Sequence, residues 1–290
     1  MRYTLQVREL RPVGTAYLDL VTDLLQRQRM ADPYAGLWEA ADLQWWHRSD
    51  QHLSDADAAF WLDDTDVPVT AAVFTRWSAS RYGCDVLGDA SFGPAWAFVR
   101  ERCAALPDVV IEMAIAPGDT ATGIGAESAG FAAVSETYDI SWLEAADRPP
   151  LRELPHGYTL LPRSEQEGPH PMIKRNGSDV EELLQKCSLY DPELDLAVRA
   201  PDGGIAGYAM FWADERTGVG LVEPMRVESE HGGHGIAAAL LRFGLDRLAR
   251  RGCARFKVSH DVHNEAAQRL YLGAGFRPRT RVEIQSRGAR

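Results

Sequence analysis

The chain has 290 residues, 45% of them hydrophobic and 25% charged, with a net charge of −11. That length suits two domains, each able to bury its own core, and the composition excludes the disordered and fibrous classes. The acidic excess argues against nucleic acid as a partner, because phosphate contacts need clustered cations. The apolar runs, such as Ile236–Leu241, are far shorter than a membrane span. Met1–Arg8 alternates polar and apolar residues like a first strand and has no signal-peptide core. The expectation is a cytoplasmic protein with no membrane partner, either a monomer or a homodimer. Cys84, Cys103, Cys187 and Cys253 are scattered, with no Cys-x-x-Cys pair, so buried free thiols are expected rather than disulfides or a zinc site.

In chain order, the first half reads as an opening strand, a polar helical stretch, strands over Asp57–Leu62 and Pro68–Trp77, a helix over Gly93–Ala105, a strand over Asp108–Ala114, and a closing Ala129-Gly130-Phe131. Residues 146–156 hold three prolines and several charges and read as a linker. After it a new strand opens at Gly157–Leu161. Strands over Leu194–Ala200 and Gly204–Asp214 follow, joined by a tight turn at Pro201–Gly204. Leu221–Val227 is a further strand, and its Pro224 has to sit where ladder pairing is interrupted or at an edge. Ile236–Arg250 has helical periodicity, with Ala237, Leu240, Leu241, Gly244, Leu245 and Leu248 on one stripe. A strand over Ala254–Ser259 and a closing Ala274-Gly275-Phe276 complete the series. The two halves repeat the same order of elements, which points to an internal duplication.

The chemistry concentrates in Gly232-Gly233-His234-Gly235-Ile236-Ala237, placed after a strand and opening an amphipathic helix. Glycines let a ligand approach the backbone, and the first helical turn presents unpaired N–H groups at the positive end of the helix dipole, so the segment can cradle a pyrophosphate. A dinucleotide site would need an acidic residue about 20 positions on. Arg255 and Phe256 occupy that region instead.

The continuation is more specific. Gly235-Ile236-Ala237 resembles the end of motif A of the GNAT superfamily of N-acetyltransferases, Gln/Arg-x-x-Gly-x-Gly/Ala. Asn264, Ala267, Leu270-Tyr271 and Gly275-Phe276 resemble motif B, and Glu223-Pro224-Met225-Arg226-Val227 resembles the family's fourth strand. The resemblance covers about residues 157–285. It implies two tandem GNAT-like domains of the α/β (α+β) class, each a mixed, mostly antiparallel sheet flanked by helices. Residues 1–145 would be a degenerate copy, 146–156 a linker, and 157–290 an active acetyltransferase domain. The tandem plan is similar to that of the mycothiol synthases, although no residue-level match carries over their aminothiol substrate.

The roles that follow are those the resemblance implies. Met225, Arg226 and Val227 would pair with the pantetheine arm between two splayed strands. Gly233, His234, Gly235, Ile236, Ala237 and Ala238 would hold the pyrophosphate of acetyl-CoA. Gly232 stands where the family has Gln or Arg, so one holding side chain is missing and His231 or His234 is left to supply a donor. Asn264 caps the following helix and either touches the coenzyme or is a plain N-cap. Tyr271 is placed as the general acid that protonates the thiolate. Glu223 is placed as the base facing a small amine acceptor, or else as a structural carboxylate paired with Arg226 or another arginine.

His231-x-x-His234 and His260-x-x-His263 lack further ligands at zinc-site spacing, so no metal is expected and these histidines read as solvent-facing or coenzyme-adjacent. Arg277, Arg279 and Arg281 read as a solvated face, or as contacts to the coenzyme 3′-phosphate. Trp38, Trp45 and Trp46 read as core, or as an aromatic acceptor pocket. In the first half, Asp89–Pro94 offers one glycine and a proline without an N–H, and Ala126 stands five residues before Phe131, as Tyr271 does before Phe276. That half is therefore expected to bind no coenzyme. Two other functions stay open beside direct acetyl transfer to a small amine: an acyl-CoA sensor without turnover, and acetylation of a protein terminus or lysine.

Overall fold

A computed structural model describes residues 7–47, 54 and 57–288. Met1–Gln6 of the expected first strand lie outside the described residues. The chain divides into two compact units, one of residues 1–138 with 280–290 and one of residues 139–279. The expected linker at 146–156 therefore falls inside the second unit.

The first unit runs β1 (Arg8–Leu10), α1 (Thr15–Ala31), α2 (Ala40–Trp46), β2 (Ala58–Leu62), β3 (Pro68–Ser78), β4 (Arg81–Gly88), α3 (Gly93–Ala105), β5 (Val110–Ile115), α4 (Thr120–Ser128) and the start of β6 (Ala133–Glu144). β1 to β4 pair antiparallel in sequence order. β4 and β5 then pair in parallel, but only over Arg81–Gly83 against Val110–Glu112. A last strand comes from the far end of the chain, where Glu283–Arg287 pair antiparallel with Ile115–Ile111. β-branched and aromatic residues at Val73, Phe74 and Thr75 suit the buried middle of β3, and Trp61, Phe74, Phe98, Val99, Ile111 and Phe131 belong to the core.

The second unit repeats the order of elements: β7 (Thr159–Pro162), α5 (Ile173–Asn176), α6 (Val180–Gln185), β8 (Asp195–Arg199), β9 (Ile205–Asp214), β10 (Val219–Val227), α7 (Ile236–Arg250), β11 (Arg255–Asp261), α8 (Glu265–Gly273) and the start of β12 (Arg277–Arg287). β7 to β10 pair antiparallel, and Asp139–Glu144 of β6 belongs to this unit beside β11. Each unit is thus a mixed, mostly antiparallel sheet with flanking helices, the class the sequence led us to expect.

The expected turn at Pro201–Gly204 forms, with Ala200 N–H donating to Gly204 O at 2.8 Å. α7 spans the expected residues. Its buried stripe holds Ile236, Ala239, Leu240, Leu241, Gly244, Leu245 and Leu248, while Ala237, expected on the stripe, is only half-buried. At Gly244 a Cβ would stand 2.0 Å from Phe211 Cζ. The helix lies flat on β9 through that glycine, and its contact row is fixed accordingly. All four cysteines are buried and free. Among the described residues, no helix is long and apolar enough to cross a membrane.

Candidate active site

The site is built where β10 and β11 part. They pair in parallel only from Val219↔Arg255 to Leu221↔Lys257. β10 continues to Val227 and β11 to Asp261, so from Val222 and Val258 onward neither strand serves as the other's ladder partner. Unpaired main-chain groups on facing strand edges form a slot in which an extended ligand can take the place of a strand.

On the other side of β10, pairing with β9 slips between Val222↔Phe211 and Met225↔Ala209, so β10 holds one extra residue. Such a bulge re-aims the strand, and it removes Pro224 from the ladder, as a proline requires. The Glu223–Pro224 peptide is cis. Trp212 Nε1 donates to Glu223 O at 2.7 Å and fixes the bulge from beneath, while the Glu223 side chain is half-buried. Arg226 is exposed and ion-pairs with Glu228 at 3.4 Å. An Arg226–Glu223 pair, weighed in the sequence, is not what Arg226 makes.

The glycine segment follows β10. Gly233 and Gly235 both take φ of +79°, a region that disfavours side chains. Gly235 is the N-cap of α7 with no side-chain cap, which leaves the first N–H groups of a 15-residue helix open toward an anion. Gly232 differs from its neighbours, at φ −62° and ψ 151°, where any residue is comfortable. His231 is held by Tyr158, whose hydroxyl lies 3.1 Å from its Nδ1, and His234 is exposed.

A cation absent from the sequence-based site stands here. A Cβ on Gly235 would come within 3.0 Å of Arg152 Nη2, so this exposed guanidinium lies over the open helix end. Nothing in the local sequence pointed to it. Arg152 sits in the Pro-rich stretch read as a linker, and only the fold returns that stretch to α7.

On the far side of the slot, Asn264 Oδ1 accepts from Ala267 N–H at 3.0 Å, which realises the plain N-cap. α8 then carries Tyr271 inward, 7% exposed, with its ring centroid 5.6 Å from His260 and 5.8 Å from Phe276. Burial, and after it the charge of Glu223, push the Tyr271 phenol above its ordinary range, so it keeps its proton throughout the neutral range. Glu223 is thus near enough for its charge to act on Tyr271.

His260, on β11, is 5% exposed, and neither ring nitrogen has a hydrogen-bond partner. A buried, unsatisfied imidazole costs free energy unless something else meets it. Among the described residues there is no group of three metal-ligating side chains, so His260 is not part of a metal cluster here. Arg277, Arg279 and Arg281 are exposed.

Residues 158–276 match the family model "Acetyltransferase (GNAT) family". Over 100 residues the chain is 35% identical to a mycothiol acetyltransferase of Clavibacter michiganensis subsp. michiganensis, a match covering 34% of this chain and 32% of that protein. Over 57 residues it is 39% identical to N-alpha-acetyltransferase 30 of Saccharomyces cerevisiae, covering 20% of this chain and 32% of that one. The matches span about a third of the length of these curated relatives. Among solved structures, a tandem GNAT protein from the clavulanic acid biosynthesis pathway superposes with a TM-score of 0.64 at 14% identity, covering 97% of this chain and 98% of its own. A GCN5-related N-acetyltransferase from Sphaerobacter thermophilus gives 0.60 at 21% identity, covering 97% and 95%. With the motif residues gathered around one strand gap, the matched segment identifies the second unit as a GNAT acetyltransferase domain.

Proposed function

We propose that the second unit moves an acetyl group from acetyl-CoA directly to the amine of a small molecule in a ternary complex. The observation that carries this reading is the parting of β10 and β11 after Leu221 and Lys257, with Glu223 and Tyr271 on its two sides. The two curated relatives differ in acceptor but share acetyl transfer in their names, which supports the donor half of the reaction.

The residues fit the donor. The open N–H groups from Ile236 to Ala238, the φ-positive turns at Gly233 and Gly235, and the Arg152 guanidinium suit a pyrophosphate. Met225–Val227 offers main-chain groups to the pantetheine amides and polarises the thioester carbonyl. Asn264 caps α8 through Ala267 N–H.

In the chemical step the amine nitrogen bonds to the thioester carbon, and collapse of the tetrahedral species breaks the C–S bond. Glu223 takes the proton the amine loses, directly or through a water. Tyr271 gives its phenolic proton to the departing sulfur. The two transfers assist each other: the Glu223 charge that holds the phenol proton in place vanishes when Glu223 is protonated, which makes Tyr271 a better acid when the thiolate forms.

Steady-state release of coenzyme thiol from acetyl-CoA, measured with a panel of small amines, tests this reading. Tyr271→Phe should cut kcat by about 10² to 10⁴ while acetyl-CoA binding by calorimetry stays near the parent value. Binding of acetyl-CoA without turnover on any amine or peptide terminus would instead favour a sensor. An unchanged kcat in Tyr271→Phe would remove the tyrosine from the mechanism.

A further inference from the structure

The first unit repeats the strand gap of the second. β4 and β5 pair in parallel only through Gly83 and Glu112, and two residues beyond the last pair stands Asp85, as Glu223 stands two residues beyond Leu221. The first unit has lost the coenzyme apparatus. α3 opens with Gly93-Pro94, and Trp96 Nε1 donates to Ala90 O at 2.7 Å, tying the loop to the helix where an anion would enter. It has kept a hollow: a cavity of about 250 Å³ lies where β4 and β5 diverge, closed over by α1 and the α1–α2 loop.

The lining of this cavity is one-sided. Asp85 and Asp119 contribute carboxylates, Tyr34 and Trp38 contribute aromatic rings, Met113 and Ala114 form the β5 wall, and among the described residues no Arg, Lys or His lines it. Asp119 is committed to the N-cap of α4, its Oδ1 accepting from Thr122 N–H and its Oδ2 from Thr122 Oγ1. Asp85 is 7% exposed and its carboxylate takes one hydrogen bond, from Trp38 Nε1 to Oδ1 at 2.7 Å, which leaves Oδ2 without a partner. A buried carboxylate facing a hollow with an indole, a phenol and, among the described residues, no counter-charge is half of an ion pair.

We propose that the first unit holds a binding site of its own, in which a small organic ammonium ion occupies this cavity, its charge on Asp85 Oδ2 and its apolar flank against Trp38 and Tyr34. A volume below the usual range for drug-sized ligands limits the guest to a compact amine. An anionic donor is excluded by the same charges, so this site does not depend on the acetyl-transfer reading of the second unit.

The surroundings set the pH behaviour. Burial, with Asp42 of α2 as the adverse neighbour, raises the Asp85 carboxyl to about 7, and among the described residues the other titratable groups beside it are Cys84 of β4, Tyr17 of α1, Tyr34 and Asp119, with none from β5. Binding an ammonium ion therefore displaces a proton, and affinity falls as pH drops below about 7.

The test uses the full chain labelled with ¹⁵N and reads the Trp38 indole signal, assigned through Trp38→Phe. Choline, tetramethylammonium and ethylammonium are titrated into the millimolar range at constant ionic strength, with the uncharged carbon isostere of choline as control. The expected result is a saturable Trp38 shift with at least one ammonium ion and none with the isostere. Asp85→Asn, which keeps the shape and the indole acceptor, should weaken binding at least about tenfold. Ala114→Leu, which fills the hollow and leaves Asp85 in place, should do the same. The proposal is overturned if no ammonium ion shifts Trp38, if the isostere shifts it equally, or if either variant binds as the parent does.

Discussion

The buried Asp85 makes a quantitative prediction about the stability of the ligand-free protein. Its carboxyl lies at about 7 in the folded chain because burial opposes the charge more than the Trp38 hydrogen bond favours it, and Asp42 adds repulsion. In the unfolded chain the same group titrates near 3.8. The folded state therefore binds the proton more tightly, and stability is lost as pH rises from the unfolded value through the folded one. At about 1.4 kcal/mol for each pH unit between the two values, the full loss approaches about 4 kcal/mol, a large part of a typical folding free energy. Between pH 5.5 and 8.5 the share still to be lost is about 2 kcal/mol. Asp85→Asn cannot ionise and should not lose it. Urea unfolding of both proteins, followed by tryptophan fluorescence across that range, isolates the effect, because the remaining titrating groups are common to both. The difference in stability should shift in favour of the variant by about 2 kcal/mol on going from pH 5.5 to 8.5. A constant difference across the range would show that Asp85 ionises as an ordinary carboxylate. It would also remove the reason for expecting a cation beside it.

Three further perturbations probe the second unit. Gly232 has ordinary backbone angles, and a Cβ there meets only Ser229 O at 3.1 Å, so Gly232→Arg should fold normally and lower KM for acetyl-CoA several-fold with kcat little changed. Arg152→Ala should raise that KM by about three- to tenfold, and more at low salt, because an exposed cation on a pyrophosphate is screened by ions; identical behaviour of parent and variant across salt would exclude the contact. Gly244→Ala drives a methyl into Phe211 and should lower unfolding stability by about 1–3 kcal/mol, part of it recovered in combination with Phe211→Leu.

Local chemistry makes much of this molecule legible in its sequence. α7 and α3 fall where apolar period and turn residues placed them, because each is long enough for its buried face to recur. Pro224 was readable because a proline without an N–H forces an interruption wherever it falls, and the bulge supplies it. Gly233 and Gly235 were readable because their backbone angles exclude most side chains. The hidden features are those a distant segment supplies. Glu283–Arg287 close the sheet of the unit at the other end of the chain, and their alternation looks the same whichever neighbour they join. Arg152 carries no local signature, since a guanidinium in a Pro-rich stretch acquires meaning only from the helix end it lies beside.

Asp85 is the most instructive of these. In sequence it is one of 42 acidic residues, on a strand of the half that lacks the glycine loop and the tyrosine of the other. The gap between β4 and β5 depends on neither that loop nor that tyrosine, because it is a property of the sheet. If the first unit merely supported the second, an unneeded gap would be expected to fill with apolar side chains, since closing a cavity adds packing contacts and removing a buried charge lifts its desolvation cost. Instead the gap stays open, and a carboxylate with one free oxygen stays in it, at a cost that rises with pH. Such a cost is readily explained by a ligand that repays it, and the sign of the carboxylate fixes the sign of that ligand.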